Sequence, residues 1–335
     1  MRDGDRCPRR PDRRAGAGAL PRTLRRDDLR RTRRRQPHPD RPHGTVRPLP
    51  LPGGRTRCRW PDARRPRRDC RHRRRSRCGA GGTRRCEVRR RVIFDSHMHV
   101  GSFESMFGVS LDRDGIDELM CGHDISAGVV FHPDNAYVAE VVETIAGLYG
   151  LVWANPRLPG YLEEAREFLA HPKFLGMKLH PLIDGYHPND PLVHRLVELL
   201  LERDLPVLIH CGHPIFTLPW SIEELAVNFP EAKIILGHMG HGNVVYINGA
   251  IDVALRNPNV YLETSGMPMH TKIREAVERV GETRVLFGSD VPFHHPQVEI
   301  AKVRLSGLSP ELVERVLSRN GRALFFRDEN AEAPS

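Results

Sequence analysis

Asp95-Ser96-His97-Met98-His99 is the stretch on which the reading of this chain turns. It continues the apolar run Val92–Asp95 and sets two imidazoles two residues apart, hence on one face if the segment is extended. Four further segments end an apolar, β-prone run in a similar way: Gly176-Met177-Lys178-Leu179-His180, Ile209-His210, Gly237-His238 and Gly288-Ser289-Asp290. Parallel strands would bring these ends to one rim. A rim carrying five histidines, a lysine and an aspartate predicts a divalent-metal site and therefore a metal-dependent enzyme.

Working outward, the apolar runs are Val92–Asp95, Ala127–Phe131, Leu148–Ala154, Phe174–Leu179, Pro206–Ile209, Lys233–Leu236, Val260–Glu263 and Arg284–Phe287. Segments of helical period separate most of them. Examples are Tyr137–Leu148, Pro191–Arg203, and Ser221–Phe229, which opens on the capping-box pair Ser221 and Glu224. Ile247–Arg256, Thr271–Val280 and Val298–Leu305 follow, Pro310–Leu317 and Ala323–Phe326 close the chain, and the weakest pattern is the first, Arg113–Cys121. Eight strands alternating with helices over the 244 residues from 92 to 335 predict an α/β fold, a closed (β/α)8 TIM barrel.

Residues 1–91 are a different polymer. They hold 33 arginines, no lysine and 9 acidic residues, a balance of +24 against −14 for residues 92–335. The basic charge of the whole chain is therefore no argument that the folded part binds nucleic acid. With no apolar periodicity, abundant proline and runs such as Arg71–Arg77, this extension is expected to be disordered. It lacks the apolar segment of a secretory signal, and its acids and prolines argue against a transit peptide. Arginine, proline, glycine and alanine without lysine is also what GC-rich DNA gives when read upstream of a true start. Binding of nucleic acid by the tail through phosphate contacts is the remaining alternative, without aromatic interleaving to support it. Only Cys121 and Cys211 lie beyond the tail, which predicts a reducing, cytoplasmic setting, and no apolar run is long enough to span a membrane.

Satisfied core histidines are the plain alternative at the rim. Several polar groups converging without partners would each cost about 1–3 kcal/mol, a cost that a bound ion removes. His97 and His99 can grip one ion, His210 and His238 end strands five and six, and Asp290 follows small residues that leave room near the axis. Nitrogen-rich ligation with one carboxylate suits Zn2+ best, with Mn2+, Fe2+ or Co2+ as alternatives.

These segments, with Leu236-Gly237-His238-Met239-Gly240 and Asn320-Gly321-Arg322-Ala323-Leu324-Phe325, resemble the amidohydrolase superfamily. Within it the chain is most similar to the amidohydrolase-related family of TIM-barrel metal-dependent hydrolases and decarboxylases. The resemblance covers residues 92 to about 326. It implies that His97, His99, His210 and Asp290 hold the ion, while His238 touches substrate or completes a second site. Lys178 would be carbamylated and bridge two ions in a two-metal member; in a one-metal member it pairs with a rim carboxylate or anchors substrate. DNase-like relatives of the TatD type carry a glutamate where Lys178 stands.

The expected chemistry is attack of metal-activated water on an amide, ester or lactone carbonyl, with Asp290 moving the water proton and His238 polarising the carbonyl. Nonoxidative decarboxylation of an aromatic or unsaturated acid is the alternative that the same residues allow. Arg157, after strand three, is a candidate carboxylate clamp, and Lys178, His180 and His213 are candidate substrate contacts. Trp153, Phe216, Trp220, Met267, Met269 and Phe293 are candidate apolar walls for a small-molecule substrate. Relatives often pair, so the resemblance also allows a homodimer.

Overall fold

The computed structural model describes residues 92–326, and the expectations placed on residues 1–91 lie outside them. Eight strands succeed one another around a sheet: β1 (Ile93–His99), β2 (Ile125–Phe131), β3 (Leu148–Trp153), β4 (Phe174–Leu179), β5 (Val207–His210), β6 (Ile234–Gly237), β7 (Val260–Glu263) and β8 (Val285–Leu286). Each pairs in parallel with the next. The eighth returns to the first through backbone bonds from Ser96 N to Phe287 O (2.9 Å), Asp290 N to His97 O (2.7 Å) and His99 N to Val291 O (2.7 Å). Asp95 reinforces that seam, its Oδ1 accepting from Ser289 N at 3.0 Å and from His97 N at 3.1 Å.

Eight helices cover the sheet: α1 (Arg113–Gly122), α2 (Asn135–Thr144), α3 (Tyr161–Leu169), α4 (Pro191–Leu201), α5 (Pro219–Asn228), α6 (Val244–Arg256), α7 (His270–Val280) and α8 (Pro296–Arg304). Short polar side chains start several of them by accepting an otherwise unpaired backbone N–H. Asp112 does so for α1, Asp134 for α2, Asp190 for α4 and Asn243 for α6. The sequence reading passed over α3, which buries Leu162, Ala165 and Leu169 and packs Tyr161 and Phe168 against the core. It also placed the start of α5 too late. That helix begins at Pro219 after Leu218 with no side-chain cap, so Ser221 and Glu224 lie inside it and form no capping box. Among the described residues no helix is long and apolar enough to cross a membrane.

Two cores result. The larger lies between strands and helices, and a smaller one fills the barrel, with Phe94, Val129, Leu151, Leu208, Ile235 and Leu286 among its members. The closing helix Asn320–Phe326 adds Leu324 and Phe325 to this inner cluster, Phe325 lying 5.6 Å from Phe94 between ring centroids.

The alternation of strand side chains should send Phe94 and His97 to opposite faces. It does not, because β1 carries an extra residue: Asp95 pairs with Gly128 but Met98 pairs with Val130. The bulge resets the alternation, so that Phe94 and then His97 and His99 all face inward. Strand β4 repeats the device, with Gly150 opposite Phe174 but Val152 opposite Met177, and the inward positions become Leu175 and then Lys178.

Gly176 sits within that second irregularity, and a Cβ there would lie 2.4 Å from the carbonyl oxygen of Pro206, the residue before β5. Gly176→Ala is expected to lower stability by about 1–3 kcal/mol, read as a fall in the urea midpoint at unchanged slope.

Candidate metal centre

At the C-terminal rim the β1 bulge and the closing seam bring His97, His99 and Asp290 together. Asp290 Oδ1 is 3.3 Å from His97 Nε2 and 3.1 Å from His99 Nε2. Atoms bound to one ion at roughly 2.0–2.2 Å lie about 3 Å apart, so the three sit as ligands of a shared cation would. All three side chains are buried, and the three atoms form one of two groups among the described residues able to hold an ion.

The second group is His97, His238 and Glu263. Glu263 is fully buried at the end of β7, and its carboxylate is already engaged. It accepts from His97 Nδ1 (2.7 Å), from the backbone N–H of His238 (3.1 Å) and from Ser265 Oγ (2.8 Å). This fixes the His97 proton on Nδ1 and leaves Nε2 free to face Asp290, the outer support that metal-binding histidines normally have. The sequence reading missed Glu263, although it ends a β-prone run as the other rim residues do. The turn after it is braced from α8: Lys302 Nζ donates to Thr264 O (3.1 Å) and Met267 O (2.7 Å) and pairs with Glu299, which accepts from Gly266 N (3.2 Å).

Backbone strain gathers here. Asp290, His238 and His241 have φ of 55°, 65° and 55°, left-handed values that side chains other than glycine's adopt only under constraint. Burial, above all, holds the imidazoles of His97, His99, His210 and His238 well below their usual pKa, so they stand neutral, the form that binds a metal. Burial also raises the Asp290 carboxyl to about 7 against the pull of Lys178, and lowers Lys178 to about 8 against Asp290 and Glu263.

A family profile described as amidohydrolase matches residues 114–327, more than half of the chain. The chain belongs to the amidohydrolase family. No curated protein matches it. Among solved structures it is similar to 5-carboxyvanillate decarboxylase from Sphingomonas paucimobilis, at 16% identity and TM-score 0.55, over 70% of this chain and 98% of that one. A dihydroxybenzoic acid decarboxylase from Polaromonas, with bound manganese and the inhibitor 2-nitroresorcinol, matches at 17% and 0.54 over 70% and 96%. A probable 2-pyrone-4,6-dicarboxylic acid hydrolase from Acinetobacter baumannii, with citric acid bound, matches at 15% and 0.55 over 70% and 98%. At these identities the likeness establishes the shared barrel.

In this amidohydrolase-family chain the rim opens on a cavity of about 230 Å³ lined by His99, Phe103, Phe107, Trp153, His180, Ile183, His210, His213, His238, His241, Asp290, Phe293 and His294. His210 lies there with His238, its Nδ1 3.1 Å from His238 Nε2 and its Nε2 2.9 Å from His213 Nδ1, and it falls outside both three-residue groups. Lys178 joins the cluster, with Nζ 3.3 Å from His97 Nε2 and 4.8 Å from the Phe131 ring centre. Arg157 is turned elsewhere, donating from Nη1 to Gly185 O at 2.7 Å, and it does not line the cavity. Trp153 and Phe293 form walls as expected, whereas Phe216, Trp220, Met267 and Met269 do not. Phe103 and Phe107, unforeseen, come from the loop after β1, and Phe103 meets His99 edge-on at 5.2 Å.

Two outcomes follow from this geometry. Glu263→Gln is expected to weaken divalent-metal affinity about 10–100-fold, measured by titration calorimetry with Mn2+, while the far-ultraviolet circular dichroism is retained. Because the neutral imidazoles release no proton and the Asp290 carboxyl must, Mn2+ affinity should rise about tenfold per pH unit up to about 7 and level off above it. Equilibrium dialysis from pH 5.5 to 8.5 measures that slope.

Proposed function

We propose that this protein is a metal-dependent, nonoxidative decarboxylase of a small planar aromatic acid bearing one carboxylate. The observation that carries the reading is the make-up of the cavity. Phe103, Phe107, Trp153 and Phe293 wall it, and no arginine or lysine is among its lining residues. At about 230 Å³ it is smaller than the roughly 300–1,000 Å³ of drug-sized sites. A single ring with one acid group fits that chemistry, the acid being directed to the His97, His99 and Asp290 edge. The dihydroxybenzoic acid named for the Polaromonas neighbour is of this kind. Hydrolysis, the first expectation from sequence, is less well served. The dicarboxylic acid named for the Acinetobacter neighbour would leave a second carboxylate without a cation along the walls.

His97, His99 and Asp290 would hold one divalent ion, with His210 and His238 beside it. The His97, His238 and Glu263 group is a poor second site, because the Glu263 carboxylate already accepts from His97 Nδ1. The donor set suits Zn2+ or Mn2+, and the latter is bound in the Polaromonas neighbour. When bound, such an ion neutralises the acid and orients it against the ring walls. Loss of CO2 breaks the bond from ring to carboxyl carbon and leaves its electron pair on the ring carbon, which must then gain a proton. Asp290 Oδ2, the oxygen not turned to His97 and His99, can carry that proton. That oxygen is 3.6 Å from His294 Nε2, at the cavity wall. Neutral His238, held by Ser265 Oγ at 3.0 Å from its Nδ1 and paired through Nε2 with His210, lines the same space and would help to orient the ring.

The Mn2+-loaded protein is expected to release CO2 from 2,6-dihydroxybenzoate, followed by a coupled carbonate assay. Asp290→Asn should lower kcat by about 10²–10⁴-fold. Acid release from an ester or lactone without CO2 evolution from aromatic acids would instead establish the hydrolytic reaction.

A further inference from the structure

His180 follows β4 and begins the short helix Pro181–Asp184. Its Nδ1 accepts the backbone N–H of Ile183 at 3.3 Å. A ring nitrogen that accepts carries no hydrogen, so the single proton of the neutral imidazole sits on Nε2. The ring cannot swing away. It is stacked between Trp153, at 5.5 Å and 15° between planes, and His210, at 4.1 Å and 18°. Trp153 is itself held by its Nε1, which donates to Asp184 Oδ2 at 3.2 Å on the same short helix. His180 lines the cavity, and Nε2 makes no hydrogen bond to any described residue.

We propose that His180 Nε2–H is a fixed, donor-only contact that selects a ring substituent able to accept a hydrogen bond, such as a phenolic or carbonyl oxygen beside the acid group. The aromatic-acid reading is needed only to say which ring carries that oxygen; the donor itself follows from the Ile183 contact. Because Nε2 has a hydrogen and no lone pair to offer, an amino group at the same ring position meets it donor to donor. Sites built around one hydrogen bond discriminate strongly between such analogues. The surrounding stack holds the donor in the plane of a ring lying among Trp153, Phe103 and Phe293 without imposing a charge.

The test compares the full-length, Mn2+-loaded protein with His180→Phe, which keeps a flat ring and removes the donor. Calorimetric binding of 2-hydroxybenzoate, benzoate and 2-aminobenzoate is the readout. The wild type should favour the hydroxy over the amino compound at least tenfold. His180→Phe should bring that ratio to about one, with benzoate affinity and metal content unchanged. An unchanged ratio in His180→Phe, or no discrimination in the wild type, overturns the proposal. A long-range proton–nitrogen spectrum of the metal-free protein, with His180 assigned by its loss in His180→Phe, should show the proton on Nε2; a proton on Nδ1 overturns it equally. Absence of CO2 release with both of these results intact would defeat the decarboxylase reading and leave the donor standing.

Discussion

The seam between β1 and the segment after β8 is the constraint on which the site depends. Three backbone bonds and the Asp95 carboxylate join residues 95–99 to residues 287–291. The same bonds that shut the cylinder deliver Asp290 to His97 and His99. Closure and ligand assembly are thus one event, and the left-handed backbone at Asp290 is a local consequence of making it. Asp95 is buried completely, and burial raises its carboxyl to about 8 despite two backbone donors. Its place is structural, yet a defect there would reach the metal edge directly.

A second layer of contacts backs the ligand edge, from strand β7 and from α8. Glu263 orients His97 and also receives the His238 amide, so one carboxylate sets two imidazoles. Lys302 and Glu299 on α8 hold the turn that carries Ser265. The cavity is therefore precise at its floor and aromatic at its mouth. That division suits a reaction in which the acid group needs exact placement and the ring needs only flat walls.

Much of this was legible in the sequence because apolar runs and strand-end polar residues are local signals. All eight strands and most helices follow from them. What escaped was set by long-range geometry. Helix α3 is an exception, since Tyr161, Leu162, Ala165, Phe168 and Leu169 recur at helical spacing and were local evidence passed over. The β1 and β4 bulges depend on the neighbouring strand's register, which no single segment reveals. Arg157 looked like a clamp by position, but the Gly185 carbonyl, 28 residues further on, claims its guanidinium. Glu263 was read as the last residue of a run and nothing more, since its partners are 166 residues upstream and on the next turn. Phe103 and Phe107 became walls only because the loop after β1 folds back over the opening.

The two bulges carry a consequence for how such a barrel changes over time. Each inserts a single residue that inverts the parity of everything downstream in its strand, while the cylinder's inner filling below it is untouched. Losing one residue near Ser96 would hand both imidazoles of the first strand to the helix layer and leave the scaffold's hydrophobic interior intact. Chemistry and foldability are therefore separable by a one-codon event, in either direction.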